Sequence, residues 1–270
     1  MNINDITQAY LQDLDLATSK PGLEQLLELQ SRHIAKYSFN NLAVILGKEI
    51  PLDTESVFQK IVQEGKGGYC FEHNKLVYEV LDHLGYNVAL KMARVVYNQD
   101  VDAPRTHRIS VLELDGDQYV VDVGFGHYCP KYPVKMEEGL AQDQGDATYR
   151  IAKNSMGDYC MQVIKDGDFF TLYTFDMNTY TDMDCLVGHF YSHKHPKAAF
   201  VNNLVICLKK TDEVLSLRNN EFHVLKNGET QITSVTSADE LLGYINGTYQ
   251  QDMDKSFAQY LFDKFCQKEA

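Results

Sequence analysis

Residues 107–125 read HRISVLELDGDQYVVDVGF. Two strand-like runs flank Asp115-Gly116, and a DG pair between alternating apolar residues is the strongest short-range signal for a β-hairpin. A two-residue loop pairs Leu114 with Asp117 and sets His107 opposite Gly124. A four-residue loop, Asp115 to Gln118, sets His107 opposite Gly126. Either register leaves positions 107 and 122 on one face, because side chains alternate with period two. In the two-residue register they are diagonal neighbours, about 7–8 Å apart at the backbone and within side-chain reach. An odd-length loop or a bulge would separate them. An imidazole oriented by a carboxylate through one nitrogen can take a proton with the other. A hairpin carrying one ordinary polar pair fits the same pattern, so the hairpin alone leaves both readings open.

Working outward, further strand-like runs cover 87–97, 149–154, 159–175, 202–210 and 213–235, several joined by DG or NG turns. Residues 1–85 read mostly helical. Pro21 opens a run with leucines at 23, 26, 27 and 29. Residues 53–65 carry a capping residue, Asp53 or Thr54, and stop at Gly65. The segment 69–84 places Val77, Val80, Leu81 and Leu84 on one face and ends before Gly85. The C-terminal stretch turns helical again, with a capping box from Ser237 to Glu240 and an amphipathic run around Phe257, Tyr260, Leu261 and Phe265. Helices, then antiparallel strands, then more strands closed by helices define an α+β protein, not a doubly wound parallel sheet.

With 270 residues, 44% of them hydrophobic, the chain can bury a large core. A formal net charge of -13 argues against a nucleic-acid partner, since no basic excess exists to release phosphate counterions. The start MNINDITQAYLQDLDL carries no basic and then apolar leader, and no run of about 18 apolar residues occurs. A cytoplasmic protein without a membrane partner is expected, monomeric or homodimeric. Its six cysteines then read as reduced thiols.

One of those cysteines follows a glycine pair in GKGGYCFEHN, residues 65–74. Cys70 falls in the first turn of a helix, where orphan N–H groups and the positive dipole end favour a thiolate and lower its pKa. Gly67 and Gly68 leave space for close approach of a ligand or another backbone. A small buried structural cysteine is still the commoner reading of these facts alone.

The three stretches together resemble the arylamine N-acetyltransferase family. GKGGYCFEHN is similar to that family's Arg-Gly-Gly-X-Cys-Phe-Glu signature. THRISVLEL resembles its histidine strand and VDVGFG its aspartate strand, in the same order. YSFNNLAV resembles its Pro-Phe-Glu-Asn-Leu element, and FYSHKHPKAAFVNNLVICL the segment that opens its third domain. The resemblance runs from residue 33 to about 210. It implies a helical domain (1–85) carrying the nucleophile, an antiparallel β-barrel domain (86–190) carrying His and Asp, and an α/β lid domain (191–270). The first two would be arranged as a papain-like cysteine-enzyme core. It implies Cys70, His107 and Asp122 as catalytic residues and acetyl-CoA as acyl donor. An arylamine, hydrazine or N-hydroxyarylamine would accept the acetyl group in ping-pong fashion. Phe39, Phe125 and Phe200 would line the aromatic pocket, and Gly124 and Gly126 would let the backbone approach the acyl donor. No metal is implied. Lys66 stands where the family has Arg, and Ser38 and Asn40 where it has Pro and Glu, which puts an ion pair between these two elements in question.

Two other readings share the triad: an amide synthase acting on a carrier-bound thioester, and a papain- or transglutaminase-like cysteine enzyme. His189, His193 and His195 do not follow a zinc spacing. GKGG lacks the Walker A spacing, and residues 124–126 lack the dinucleotide fingerprint. Glu72 and His73 are expected on the helix surface or at a domain contact, and Cys129, Cys160, Cys185, Cys207 and Cys266 in the packing.

Overall fold

The Asp115-Gly116 turn closes as a two-residue loop: Leu114 pairs with Asp117, and the ladder runs to Ser110 opposite Val121. Both turn residues take positive φ, 53° and 85°, the conformation a type I′ hairpin requires and Asp-Gly tolerates. The hairpin is the core of an eight-stranded antiparallel sheet in this computed structural model, which describes residues 1–17 and 20–267. From one edge the strands run Val134–Lys135, Asp117–Val121, Arg105–Leu114, Asn87–Val95, Asp168–Phe175, Tyr159–Lys165, Thr148–Lys153 and Gln142–Asp143.

The two edges of this sheet meet through side-chain amides. Gln142 accepts from the Lys135 N–H at 2.8 Å and donates to the Lys135 carbonyl at 3.0 Å. Gln144 does the same with Tyr132, both at 2.9 Å. A carboxamide carries one donor side and one acceptor side, so it satisfies an edge residue as a strand would. The sheet is therefore a nearly closed barrel, and Ile109, Val111, Leu112, Val120, Val163 and Leu172 of its strands belong to the main apolar core that its two faces share with the helices.

The helix Cys70–His83 packs on the strand Arg105–Leu114 and on the helices Ile3–Asp13 and Thr54–Phe58. Its first eight residues, Cys70 to Val77, are all buried. Of the two positions expected for Glu72 and His73, helix surface or domain contact, burial rules out the surface; both are 1% exposed. The reason is that partners cover this helix on every side, which a single-face hydrophobic pattern does not reveal. Each fully buried Leu or Val on it contributes about 1.5–3 kcal/mol, against about 0–1 kcal/mol for a surface ion pair. Packing, not charge, therefore fixes where Cys70 sits.

A second antiparallel sheet orders Phe39–Asn40, Val205–Lys209, Glu213–Arg218, Glu221–Lys226 and Glu229–Ser234. Its first strand comes from the helical part of the chain. Ile206 and Leu217 on this sheet, with Leu204 just before it, pack with Leu241, Ile245 and Leu261 from the C-terminal helices. The helix Asp182–Lys194 lies on Arg105–Leu114 and on the short helix Ala199–Asn202. The whole is α+β. Among the described residues, no helix is long and apolar enough to cross a membrane.

Candidate active site

Cys70 begins its helix because Tyr69 ahead of it is extended, and the Glu72 side chain turns back to accept from the Tyr69 N–H at 3.1 Å. That is the acidic half of a capping box. Glu72 in turn pairs with Lys60 at 2.5 Å. The glycines ahead of the helix are required by contact. A Cβ on Gly67 would lie 2.1 Å from the Ser38 carbonyl oxygen, and φ there is +60°. The backbone that approaches is that of residues 38–40: Asn40 N donates to the Gly68 carbonyl at 2.6 Å, and Gly68 N to the Ser38 carbonyl at 3.3 Å.

This contact also answers the three departures at 38, 40 and 66. Lys66 reaches outward to Glu64 at 2.6 Å. The junction is held instead by the Asn40 amide, which donates to the Lys66 carbonyl at 2.9 Å and to Ser38 Oγ at 3.2 Å. A neutral side chain bonded to the Lys66 backbone makes the identity of the basic head group there unimportant to this junction.

His107 and Asp122 face one side of the hairpin, as the two-residue register requires. His107 Nε2 donates to Asp122 Oδ2 at 2.7 Å, with the residues 2% and 0% exposed. Asp122 accepts three further bonds: from Asn74 Nδ2 and the Gly124 N–H at 2.9 Å each, and from the Tyr173 hydroxyl at 3.1 Å. Burial works to raise this carboxyl, but His107 and the bonds from Asn74 and Gly124 outweigh it and hold the group below the ordinary carboxylate range. Asp122 is ionised and aims the His107 ring.

Cys70 is brought against the same hairpin. Its thiol points to the Thr106 carbonyl at 3.6 Å, the residue just before His107. A Cβ on Gly124 would fall 2.8 Å from Cys70 Cα and 2.8 Å from Asn74 Nδ2. The space that Gly124 leaves open is therefore filled by the Cys70 helix itself, and that beside Gly126 by the Phe39 ring at 3.2 Å. Gly124→Ala should destabilise the fold by about 1–3 kcal/mol through overpacking and displace Cys70 from His107. Thermal unfolding and Cys70 alkylation rates check both effects.

The lowering of the thiol pKa expected at a helix start is not what the site produces. Burial pushes the Cys70 thiol up, and the Asp122 charge adds to this; backbone groups at Arg108 and Phe71 oppose it more weakly. A dipole end is worth about 0.3–1 kcal/mol, less than removing a thiolate from water.

Asn74 and Tyr173 are site residues that the sequence does not single out. Asn74 lies one turn beyond Cys70. It bonds Asp122, the Arg108 carbonyl at 2.6 Å and the Val123 N–H at 2.9 Å, so it bolts the helix to both hairpin strands. The helical spacing from Cys70 is the signal that could have found it. Tyr173 arrives from a strand far along the chain and carries no such signal.

Of the three phenylalanines, Phe125 packs on the His107 ring with centroids 5.0 Å apart. Phe39 and Phe200 meet at 5.9 Å, and Phe200 meets Tyr69 at 5.5 Å. Phe39 and Cys70 share one apolar cluster, with Phe200 packed against it. The histidines of the helix Asp182–Lys194 serve packing: His189 bonds the Tyr69 hydroxyl, and His193 Nδ1 lies 2.6 Å from the His189 carbonyl. All six cysteines are free and buried.

A buried helix-start cysteine set against a barrel that carries a bonded histidine–aspartate pair is the layout of a papain-like cysteine-enzyme core. A family model described as N-acetyltransferase matches residues 22–257. The arylamine N-acetyltransferase of Mycolicibacterium smegmatis is 31% identical over 240 residues, 87% of each chain. That of Escherichia coli K12 is 33% identical over 209 residues, 77% of this chain and 74% of its own. Among solved structures, Mycobacterium marinum arylamine N-acetyltransferase in complex with CoA matches with a TM-score of 0.90 at 27% identity, over 97% of this chain and all of that one. The Salmonella typhimurium enzyme matches with a TM-score of 0.89 at 25% identity, over 96% of this chain and 98% of its own. The chain belongs to the arylamine N-acetyltransferase family and is an acetyltransferase.

Proposed function

We propose that this protein moves an acetyl group from acetyl-CoA to an arylamine, hydrazine or N-hydroxyarylamine through an acetyl-Cys70 intermediate. The observation that carries the reading is the 2.7 Å His107–Asp122 bond, which leaves His107 Nδ1 free to act as a base beside a cysteine packed on the same hairpin. The family relationship supports it, as does a relative solved with CoA.

The raised thiol pKa sets the order of events. A bare thiolate is disfavoured in this site, so Cys70 ionises only as its proton passes to His107 Nδ1. Asp122, already ionised, stabilises the imidazolium that results. The thiolate sulfur attacks the thioester carbonyl carbon, and the backbone N–H of Cys70 is placed to bond the oxyanion. The tetrahedral centre collapses, the carbon–sulfur bond to CoA breaks, and His107 returns the proton to the departing CoA sulfur. The acceptor nitrogen or oxygen then attacks acetyl-Cys70, gives its proton to His107, and Cys70 leaves. The cysteine returns unchanged, which gives ping-pong kinetics.

Phe39, Phe125 and Phe200 would present ring faces to an aryl acceptor. Gly124 and Gly126, expected to admit the acyl donor, instead admit the Cys70 helix and the Phe39 ring, so they act on the donor only by seating those two groups.

Intact mass spectrometry tests the reading. Acetyl-CoA without amine should add one acetyl group to the protein, mapped to Cys70, and a following arylamine should remove it. No adduct with acetyl-CoA, together with an adduct from a carrier-bound thioester or cleavage of peptides, would overturn it in favour of an amide synthase or a papain-like hydrolase.

A further inference from the structure

A chain of three polar side chains runs through the helical part, outside the catalytic set. The Tyr10 hydroxyl lies 2.7 Å from His33 Nδ1, His33 Nε2 lies 2.7 Å from His73 Nδ1, and His73 Nε2 lies 3.2 Å from the Ser38 carbonyl oxygen. Tyr10, His33 and His73 are 0%, 0% and 1% exposed. The direction of the bonds is forced. A carbonyl oxygen only accepts, so His73 Nε2 carries hydrogen and donates. With both rings neutral, His73 Nδ1 accepts from the His33 Nε2–H, and His33 Nδ1 accepts from the Tyr10 hydroxyl. Three hydrogens satisfy three bonds with none left over. Protonating His73 would reverse the chain and leave the Tyr10 hydroxyl hydrogen unmatched in a buried site, a costly defect. Burial holds both imidazoles neutral: His73 is lowered to about 4, and His33 lies well below its ordinary value. The charged groups facing His73 are Lys60, which lowers it further, and Asp122, which opposes.

The chain ends where the acceptor pocket begins. His73 is one helical turn from Cys70, and its ring stacks on Phe39 with centroids 6.4 Å apart and planes 23° apart. Ser38, whose carbonyl it bonds, precedes Phe39 directly. His33 meets His73 edge-on at 5.0 Å. One rigid line thus links the first helix, the second helix, the Cys70 helix and the backbone that presents Phe39.

We infer that Tyr10, His33 and His73 form a tautomer-locked strut that sets Phe39 against Cys70, which makes His73 a positioning residue for the acyl acceptor. The inference rests on the acetyl-transfer reading above, because it assigns Phe39 to the acceptor side of that reaction.

The test separates the two half-reactions. In His73→Leu, acetyl-CoA should still load Cys70 near the wild-type rate in single turnover, while the arylamine KM rises about tenfold or more because Phe39 loses the ring that holds it. His73→Gln, whose amide can both donate to Ser38 and accept from His33, should recover most of that loss. In the unaltered protein, nitrogen-15 NMR should show both imidazoles as neutral Nε2–H tautomers from about pH 5 to 8, where an ordinary histidine titrates. An acceptor KM unchanged in His73→Leu, with normal acetylation, would overturn the strut alone. Absence of acetyl-Cys70 in the wild type would instead remove the acetyl-transfer reading. Should His73→Leu fail to fold, the NMR decides: titration of either ring near its ordinary value overturns the strut, and the locked tautomers uphold it.

Discussion

Cys70→Ala should leave a folded protein with no measurable acetyl transfer, a loss of at least about 10⁴-fold, as for deletion of other covalent nucleophiles. The fold should survive because the thiol makes only a weak 3.6 Å contact to the Thr106 carbonyl, and removing one buried sulfur costs little beside the packing of Phe71, Leu76 and Val77 on the same helix. The loss is in chemistry alone. Without sulfur no acyl-enzyme forms, and the proposed ping-pong route offers no direct attack of an amine on acetyl-CoA in its place. The checks are steady-state turnover, intact mass after mixing with acetyl-CoA, and thermal unfolding. Retained turnover, or a mass adduct on another residue, would show that Cys70 is not the nucleophile. All six cysteines are buried, so it is the nucleophile assignment, not burial, that predicts the adduct on Cys70.

Much of this arrangement was legible in the chain because it is local. The DG turn sets a register within nineteen residues (107–125), and period-two alternation then places His107 and Asp122 on one face whichever even loop is used. The helix start at Cys70 is likewise written in its neighbours, the glycines before it, whereas the Glu72 side chain turned back on the Tyr69 N–H was not read there. What could not be read depends on contacts between distant segments. Tyr173 reaches Asp122 across 51 positions. His33 reaches His73 across 40, a partner that burial of His73 depends on and that its helix alone does not reveal. The thiol pKa went the wrong way for the same reason. A helix dipole is visible in a local sequence, whereas the desolvation that outweighs it comes from distant segments, the barrel strands among them, packed against the Cys70 helix. The substitutions at 38, 40 and 66 could be seen as departures, but not that Asn40 would bond the Lys66 backbone instead of its side chain.

Asp122→Asn should fold and lose about 10³–10⁴-fold in turnover through the tautomer of His107. The four bonds to Asp122 show why. Oδ1 accepts from Asn74 and Gly124, and Oδ2 from His107 and Tyr173. An asparagine has one oxygen. Keeping it on Asn74 and the Gly124 N–H, which cannot reverse direction, turns the amide nitrogen toward His107 and Tyr173. His107 Nε2 must then become an acceptor, so the ring proton moves to Nδ1, the atom needed to receive hydrogen from Cys70. The base is blocked while its position is kept. Nitrogen-15 NMR should show His107 switching from the Nε2–H to the Nδ1–H form, and the pH profile of Cys70 alkylation should move to higher pH as the thiolate loses its imidazolium partner. Stability follows the same group. Asp122 is held below the ordinary carboxylate range. It therefore stabilises the fold above its unfolded-state pKa and ceases to do so as pH falls through the folded value. The asparagine variant should lack that acid-side loss, and urea titrations across pH would show it. Near-normal turnover with His107 still in the Nε2–H form would show that Asp122 does not set the base. An inactive variant with unchanged tautomer would move the cause elsewhere in the site.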